Sequence, residues 1–286
     1  MTRRGLLLAL VAVGAAVAGI VATLARNRRD REVATLRADL NRAASATASD
    51  ESTASPAGDA DDLPPPVARY LSTAIGGEAV PVQQVVLTQS GEFRTGDADS
   101  PWRPFSATQH VTTDPPGFVW EAAIEMAPFV SARVVDSFVD GEGSLRATVF
   151  SVLTVADAAS DPQLDEGELM RYLGETPWYP SALGSGGPVS WEPLDDRSAR
   201  ATLSVGETTA SLVFHFGEDD LVQKVTGERP AQQDDGSYEA TPWSGHWWDY
   251  ERREGVLVPT EGRAAWNRPT GTLAYWRGRL ESIHVN

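Results

Sequence analysis

Hydrophobic and polar positions alternate with a period of two along most of the chain from Val85 onward. The clearest stretch is 118–126. There Phe118, Trp120, Ala122, Ile124 and Met126 alternate with Val119, Glu121, Ala123 and Glu125, as a strand with one buried face requires. Similar patterning predicts strands over 85–93, 105–112, 131–139, 144–150, 198–205, 208–216, 221–228, 243–253, 256–266 and 273–285. Turn residues separate them, among them Asp114-Pro115-Pro116-Gly117, Asp140-Gly141-Glu142-Gly143 and Gly206-Glu207. Residues 229–242 read as a polar loop. No βαβ alternation is present, so the strands predict an antiparallel meander.

A helical period interrupts this pattern twice. Pro66 suits the first turn of a short helix over 67–75, ended by Gly76-Gly77. The stretch Glu166–Leu183 is the stronger signal. Asp165 can cap it, with Glu168 completing a capping box. Leu169, Met170 and Leu173 fall on one face, and Glu168, Tyr172 and Glu175 on the other. Pro177 stops the helix, and Trp178, Tyr179 and Pro180 add a stiff apolar tail. The expected fold class is α+β: a large antiparallel, curved sheet of about 10–12 strands carrying a short N-terminal helix and one lid-like helix.

The N-terminal part follows neither pattern. Gly5–Ala25 is uncharged and long enough to cross a ~30 Å hydrocarbon core. It exceeds the ~7–15 residues of a signal-peptide core, and Arg26, Arg28, Arg29 and Arg31 follow it at once, so an uncleaved single-pass anchor is expected. The positive-inside rule leans towards a cytoplasmic soluble domain. The Ala, Ser, Thr and Asp of 43–62 form a tether of a kind common outside cells, which leans the other way. Val33, Leu36, Leu40 and Ala43 have the spacing to pair two anchors, and equally suit a solvated juxtamembrane helix. Three segments result: an anchor over 1–26, a juxtamembrane helix and linker over 27–62, and one β-rich domain over 63–286.

Charge and composition narrow the chemistry. The formal net charge of −16 leaves no basic surface for nucleic acid. The absence of cysteine excludes disulfides, thiolate catalysis and cysteine zinc sites. His110, His215, His246 and His284 lack the spacing of a metal pair, and no cofactor is expected. No nucleophile elbow occurs, and Gly184-Ser185-Gly186-Gly187 lacks the lysine of a phosphate loop. Glu168 with Glu175, or Glu121 with Glu125, would put two carboxylates on one face, which is also how a solvated face looks. Arg171 and Glu175 have the spacing of a helical ion pair.

Nine tryptophans give the sharper signal. In a two-layer domain they either fill the core or line a cleft between sheet and helix. The cleft reading places Trp120 on the floor and Trp178 and Tyr179 at the mouth, with Met170 on the helix above, and predicts a lipid-like ligand. A second reading is a hydrolase of an envelope component using carboxylates and His246. A third is a structural domain with no ligand. Oligomeric state is not encoded in any of these patterns.

Several stretches carry a family likeness: LPPPVARYL (63–71), PPGFVWEA (115–122), GELMRYLGETPWYPSAL (167–183) and YWRGRL (275–280). They resemble an uncharacterised family of membrane-anchored proteins of bacteria and archaea, a domain of unknown function. The resemblance implies one domain on an N-terminal anchor and supplies neither an activity nor site residues. An antiparallel sheet crossed by helices is also similar to the half-barrel carriers that shuttle lipoproteins and lipids, a likeness of fold alone.

Overall fold

A computed structural model describes residues 23–45, 63–76, 82–128, 130–150, 153–185, 187–233 and 235–285. The apolar run 5–25 lies outside them except for 23–25. Among the described residues no helix is long and apolar enough to cross a membrane.

Thirteen strands form one antiparallel sheet: β1 (Gln84–Phe93), β2 (Arg103–Thr113), β3 (Pro116–Ala127), β4 (Val130–Val139), β5 (Glu142–Val149), β6 (Leu153–Ala158), β7 (Val189–Asp195), β8 (Ser198–Val205), β9 (Thr208–Phe216), β10 (Val222–Gln232), β11 (Tyr238–Arg253), β12 (Val256–Arg268) and β13 (Gly271–Val285). Their order is β6-β5-β4-β3-β2-β1-β13-β12-β11-β10-β9-β8-β7. The sheet is thus two meanders joined where the first strand pairs with the last, Val85 opposite Val285. The chain leaves it at one edge, β6, and re-enters at the other, β7. Among the described residues three α-helices accompany it: α1 over 23–45, α2 (Pro65–Ile75) and α3 (Pro162–Glu175).

The crossing from β6 to β7 runs through α3, and α3 shows how the sheet is shaped. It packs on β3, β4 and β5 and also on β9 and β10. Six strand spacings separate β3 from β10. In a flat sheet that is about 29 Å, against about 10–12 Å for the width of a helix. The sheet therefore curls around α3 as a half-barrel.

Glycine supplies a line along which it can bend. Gly91, Gly278 and Gly262 sit side by side on β1, β13 and β12, and Trp247 of β11 completes the row. A Cβ on Gly262 would lie 2.6 Å from Trp247 Cζ3, and one on Gly278 would overlap the Trp276 ring. The bare backbone lets both indoles lie flat on it, aromatic cover for glycines that would otherwise weaken the strands. At the β4–β5 hairpin, Asp140 and Gly141 have φ of 53° and 86°, the paired left-handed geometry that an Asp-Gly turn provides.

Several expectations need correction. The strands number thirteen, because the edges β6 and β7 carry too little buried alternation to stand out, and 229–242 is mostly strand. The helix starts earlier than expected. Asp161 is its cap, accepting from the Gln163 and Leu164 amides at 2.9 Å each. Asp165 instead accepts from the Gly143 amide at 2.6 Å and so ties α3 to β5. Nor is α3 a lid with a wet face: Glu168 and Tyr172 are as buried as Leu169 and Leu173. Beyond Pro162 and Gln163 of its first turn, no residue of α3 is exposed, because the sheet curves around it.

Helix α1 is not free either. Val33 and Leu40 are buried on Val119, Val135 and Val139, with Leu36 beside them, on the outer face of β3 and β4. Arg37 pairs with Glu121, and Arg146 with Glu32 at 2.6 Å. The a/d spacing read as anchor pairing or solvated helix is spent on the chain's own sheet. It also explains why Val119, on the face expected to be exposed, is fully buried.

Candidate functional site

Inside the curve lies a cavity of about 520 Å³. Inward positions of β3, β4 and β5 form one wall: Trp120, Ile124 and Met126, then Ala132, Val134 and Asp136, then Leu145 and Ala147. Trp243 and Trp247 of β11 with Tyr275 and Trp276 of β13 form the opposite wall. Glu168, Arg171, Gly174 and Glu175 of α3 cap one end, joined by Arg229 of β10. The walls are apolar and the capping end is charged.

That end is a connected network. Arg171 donates from Nε to Glu175 Oε1 at 3.0 Å and from Nη1 to Asp136. Its guanidinium lies 4.8 Å from the ring centres of both Phe118 and Trp120. Trp120 Nε1 donates to Gln89 Oε1 at 2.9 Å, Gln89 Nε2 to Gln109 Oε1 at 3.1 Å, and Gln109 Nε2 to Glu175 Oε2 at 2.6 Å. Arg229 donates to Glu168 Oε1 at 3.2 Å, to Tyr275 Oη at 3.2 Å and to the Gly167 carbonyl at 3.1 Å. Trp243 Nε1 donates to the same Tyr275 oxygen at 2.9 Å. Three carboxyl groups thus face two guanidiniums in a buried setting, where each guanidinium compensates more than one carboxyl group.

The electrostatics follow from that shortage of cations. Burial, with Asp136 nearby, pushes the Glu168 carboxyl up from 4.5 to about 8. Burial also raises Asp136, against the pull of Arg171 and Arg229. Burial pulls Arg171 down, but Glu175, Asp136 and Glu168 outweigh it and hold its pKa above the ordinary value. Between pH 4.5 and about 8 the folded protein therefore holds a proton on Glu168 that an unfolded chain has already released. Stability should be greatest below that window and fall as pH rises through it. Urea titrations at several pH values across the window should show this decline, and Glu168→Gln should flatten it by up to about 1.4 kcal/mol per pH unit. A wild-type profile as flat as that of the variant would mean that Glu168 is ionised throughout.

The expected site residues divide. Trp120 lines the cavity under α3, 4% exposed, as the alternation of β3 predicts. Trp178 and Tyr179 do not form a mouth; they are core, as is Met170 on α3, at 1%, 2% and 1% exposure. Trp178 Nε1 donates to the Pro259 carbonyl at 3.0 Å, and Tyr179 Oη to the Tyr172 carbonyl at 2.7 Å. The two short 3₁₀ turns after α3, Thr176–Trp178 and Pro180–Leu183, fold the tail inward rather than leaving it at a rim.

The carboxylate–His246 constellation is not assembled. Gly245 and Trp247 face the cavity, so strand alternation turns His246 to the other side of the sheet, opposite Lys224 and Arg263. Burial and Arg263 lower its pKa. Glu121 is on the outer face with Arg37, away from Glu168 and Glu175. Among the described residues no cluster of three or more acidic or imidazole side chains could hold a metal ion.

Sequence reasoning missed Gln89, Gln109, Asp136, Arg229 and Tyr275. A signal for three of them was present. Gln89 follows Val85 and Leu87, Gln109 follows Phe105 and Ala107, and Asp136 follows Ala132 and Val134, each on the inward parity of its strand. A polar residue at an apolar parity is the mark of a buried polar site.

No curated protein matches the chain. Among solved structures, a DUF1329 family protein from Desulfovibrio piger aligns over 72% of this chain and 86% of its own, with 12% identity and a TM-score of 0.40. A LolA superfamily protein from Nitrosomonas europaea aligns over 77% and 92%, with 8% identity and a TM-score of 0.38. Both likenesses are too distant to bear on the site. Residues 61–284 match a family of unknown function, DUF6920, and the chain belongs to that family.

Proposed function

We propose that this chain is a membrane-tethered module that binds a hydrophobic ligand, such as a lipid-like molecule, inside its curved sheet. The observation that carries the reading is the cavity itself. Its volume of about 520 Å³ falls within the ~300–1,000 Å³ usual for ligand sites, and it combines apolar aromatic walls with a few convergent polar groups. A domain with only a structural role has no need to hold four tryptophans and a charged network around open space, since interiors otherwise pack to near crystal density. The tether in this reading is the apolar run 5–25, with α1 fixing the domain close to the point where that run ends.

The test uses the tryptophans as reporters. In the full chain held in amphipol, a bromine-labelled alkyl chain should quench indole emission from Trp120, Trp243, Trp247 and Trp276. Ala132→Phe directs a ring into the cavity from β4. It should weaken quenching affinity about ten-fold or more, near 1.4 kcal/mol, at an overpacking cost of about 1–3 kcal/mol. Unchanged affinity in that variant, or no quenching in the wild type, would remove the cavity as the site.

A further inference from the structure

The charged end of the cavity is short of hydrogen-bond donors. Asp136 Oδ1 and Glu168 Oε2 are buried and have no hydrogen-bond partner, and their residues are only 6% and 4% exposed. All three nitrogens of Arg229 donate, to Gly167, Tyr275 and Glu168. Arg171 spends Nε on Glu175 and Nη1 on Asp136. One buried unpartnered donor at the cavity, Trp247 Nε1, is neutral and belongs to the facing wall. Both orphan oxygens belong to side chains that line the cavity. A buried polar atom without a partner is unfavourable; a bound donor relieves it at Asp136 and, at Glu168, stands in for the proton that this carboxyl otherwise holds. A ligand ending in a carboxylate brings acceptors and no donor, and leaves Asp136 Oδ1 as it was.

We propose that Asp136 and Glu168 receive a hydrogen-bond-donating head group, so that the cavity takes an amphiphile ending in a primary amine or a polyol and discriminates against one ending in a carboxylate. This rests on the cavity reading and adds the chemical class of the ligand. The chain of the amphiphile lies between the β3–β5 wall and Trp243, Trp247 and Trp276. The head meets the two orphan oxygens beneath α3, with the Arg171 guanidinium holding Asp136 in place from the far side.

Four twelve-carbon probes separate the possibilities in the full chain in amphipol, titrated below their micelle concentrations and followed by tryptophan emission and calorimetry. They are dodecylamine, dodecyl glyceryl ether, dodecanoate and dodecyltrimethylammonium. The amine and the glyceryl ether should bind about ten-fold or more tightly than dodecanoate. They should also surpass the quaternary ammonium, which has the charge but no donor. The ratio of amine to glyceryl ether tells which source of donors the site prefers. Glu168→Gln sets an amide where the orphan oxygen stands, and should weaken the donor-headed probes about ten-fold and narrow their lead over dodecanoate. If that variant does not fold, the wild-type ranking still decides. Equal binding of all four, a quaternary ammonium as tight as the amine, or dodecanoate as the tightest would overturn the head-group assignment and leave the cavity reading standing. No binding by any of them would overturn both.

Discussion

Trp178→Ala is expected to destabilise the protein by about 3–5 kcal/mol, as deletion of a large buried ring does. The indole is 1% exposed. It meets Trp247 edge-on with ring centres 4.8 Å apart, and Trp276 at 6.2 Å. Those two rings rest on the bare backbone of Gly262 and Gly278. Trp178 thus presses the segment after α3 onto the glycine row, while its Nε1 holds the Pro259 carbonyl of β12. Removing it leaves that carbonyl without its donor and opens a void behind the cavity wall that neighbouring backbone cannot fill. Chemical denaturation of the full chain would read the loss. A change below about 1 kcal/mol would place the ring in solvent, as the sequence reading of a rim residue had it. The sequence pattern places Trp178 at a cleft mouth, and the structure shifts it into the core.

That shift shows what the sequence carries and what it does not. Alternation exposes a strand wherever one face is buried and the other is not, so β1–β5 and β8–β13 are legible from their own residues. It fails at the edges. In β6, Leu153 and Val155 are 60% and 57% exposed, and an edge strand keeps few buried positions to betray it. It also fails for Arg229, which makes 229–242 look like a loop although its guanidinium points into the molecule at Glu168.

The site was half legible for the same reason. Trp120 sits on an unmistakable inward parity. The face of α3 was misjudged because an isolated amphipathic helix implies water on its charged side. Here that side meets sheet, since the sheet wraps around it. What lets the sheet wrap is a row of glycines from β1, β12 and β13, far apart in sequence and brought together only by the pairing of the first strand with the last. No local pattern encodes that register. Likewise α1 has an apolar stripe whose partner, the outer face of β3 and β4, becomes visible only once the strands are in place.

Arg171→Met should be as costly, about 3–5 kcal/mol, through charge and not volume. Methionine can occupy much of the space over Phe118 and Trp120, so packing is largely kept. What disappears is the cation shared by Asp136 and Glu175, two carboxyl groups that the sheet and helix bury together. Asp136 would then have no partner at either oxygen, since Oδ1 already lacks one. The cost of an unpaired buried carboxylate can be relieved by a proton, which sets the direction of the pH response. In the variant the Asp136 pKa rises further, so the deficit should shrink as pH is lowered and be largest above neutrality. Adding Asp136→Asn removes the charge that Arg171 was compensating. The double variant should therefore lose less than the sum of the two single losses, with a coupling of about 1–3 kcal/mol. Strictly additive losses, or a deficit independent of pH, would mean that the carboxyl groups are neutral in the native protein and that Arg171 acts through its contacts with the two rings alone.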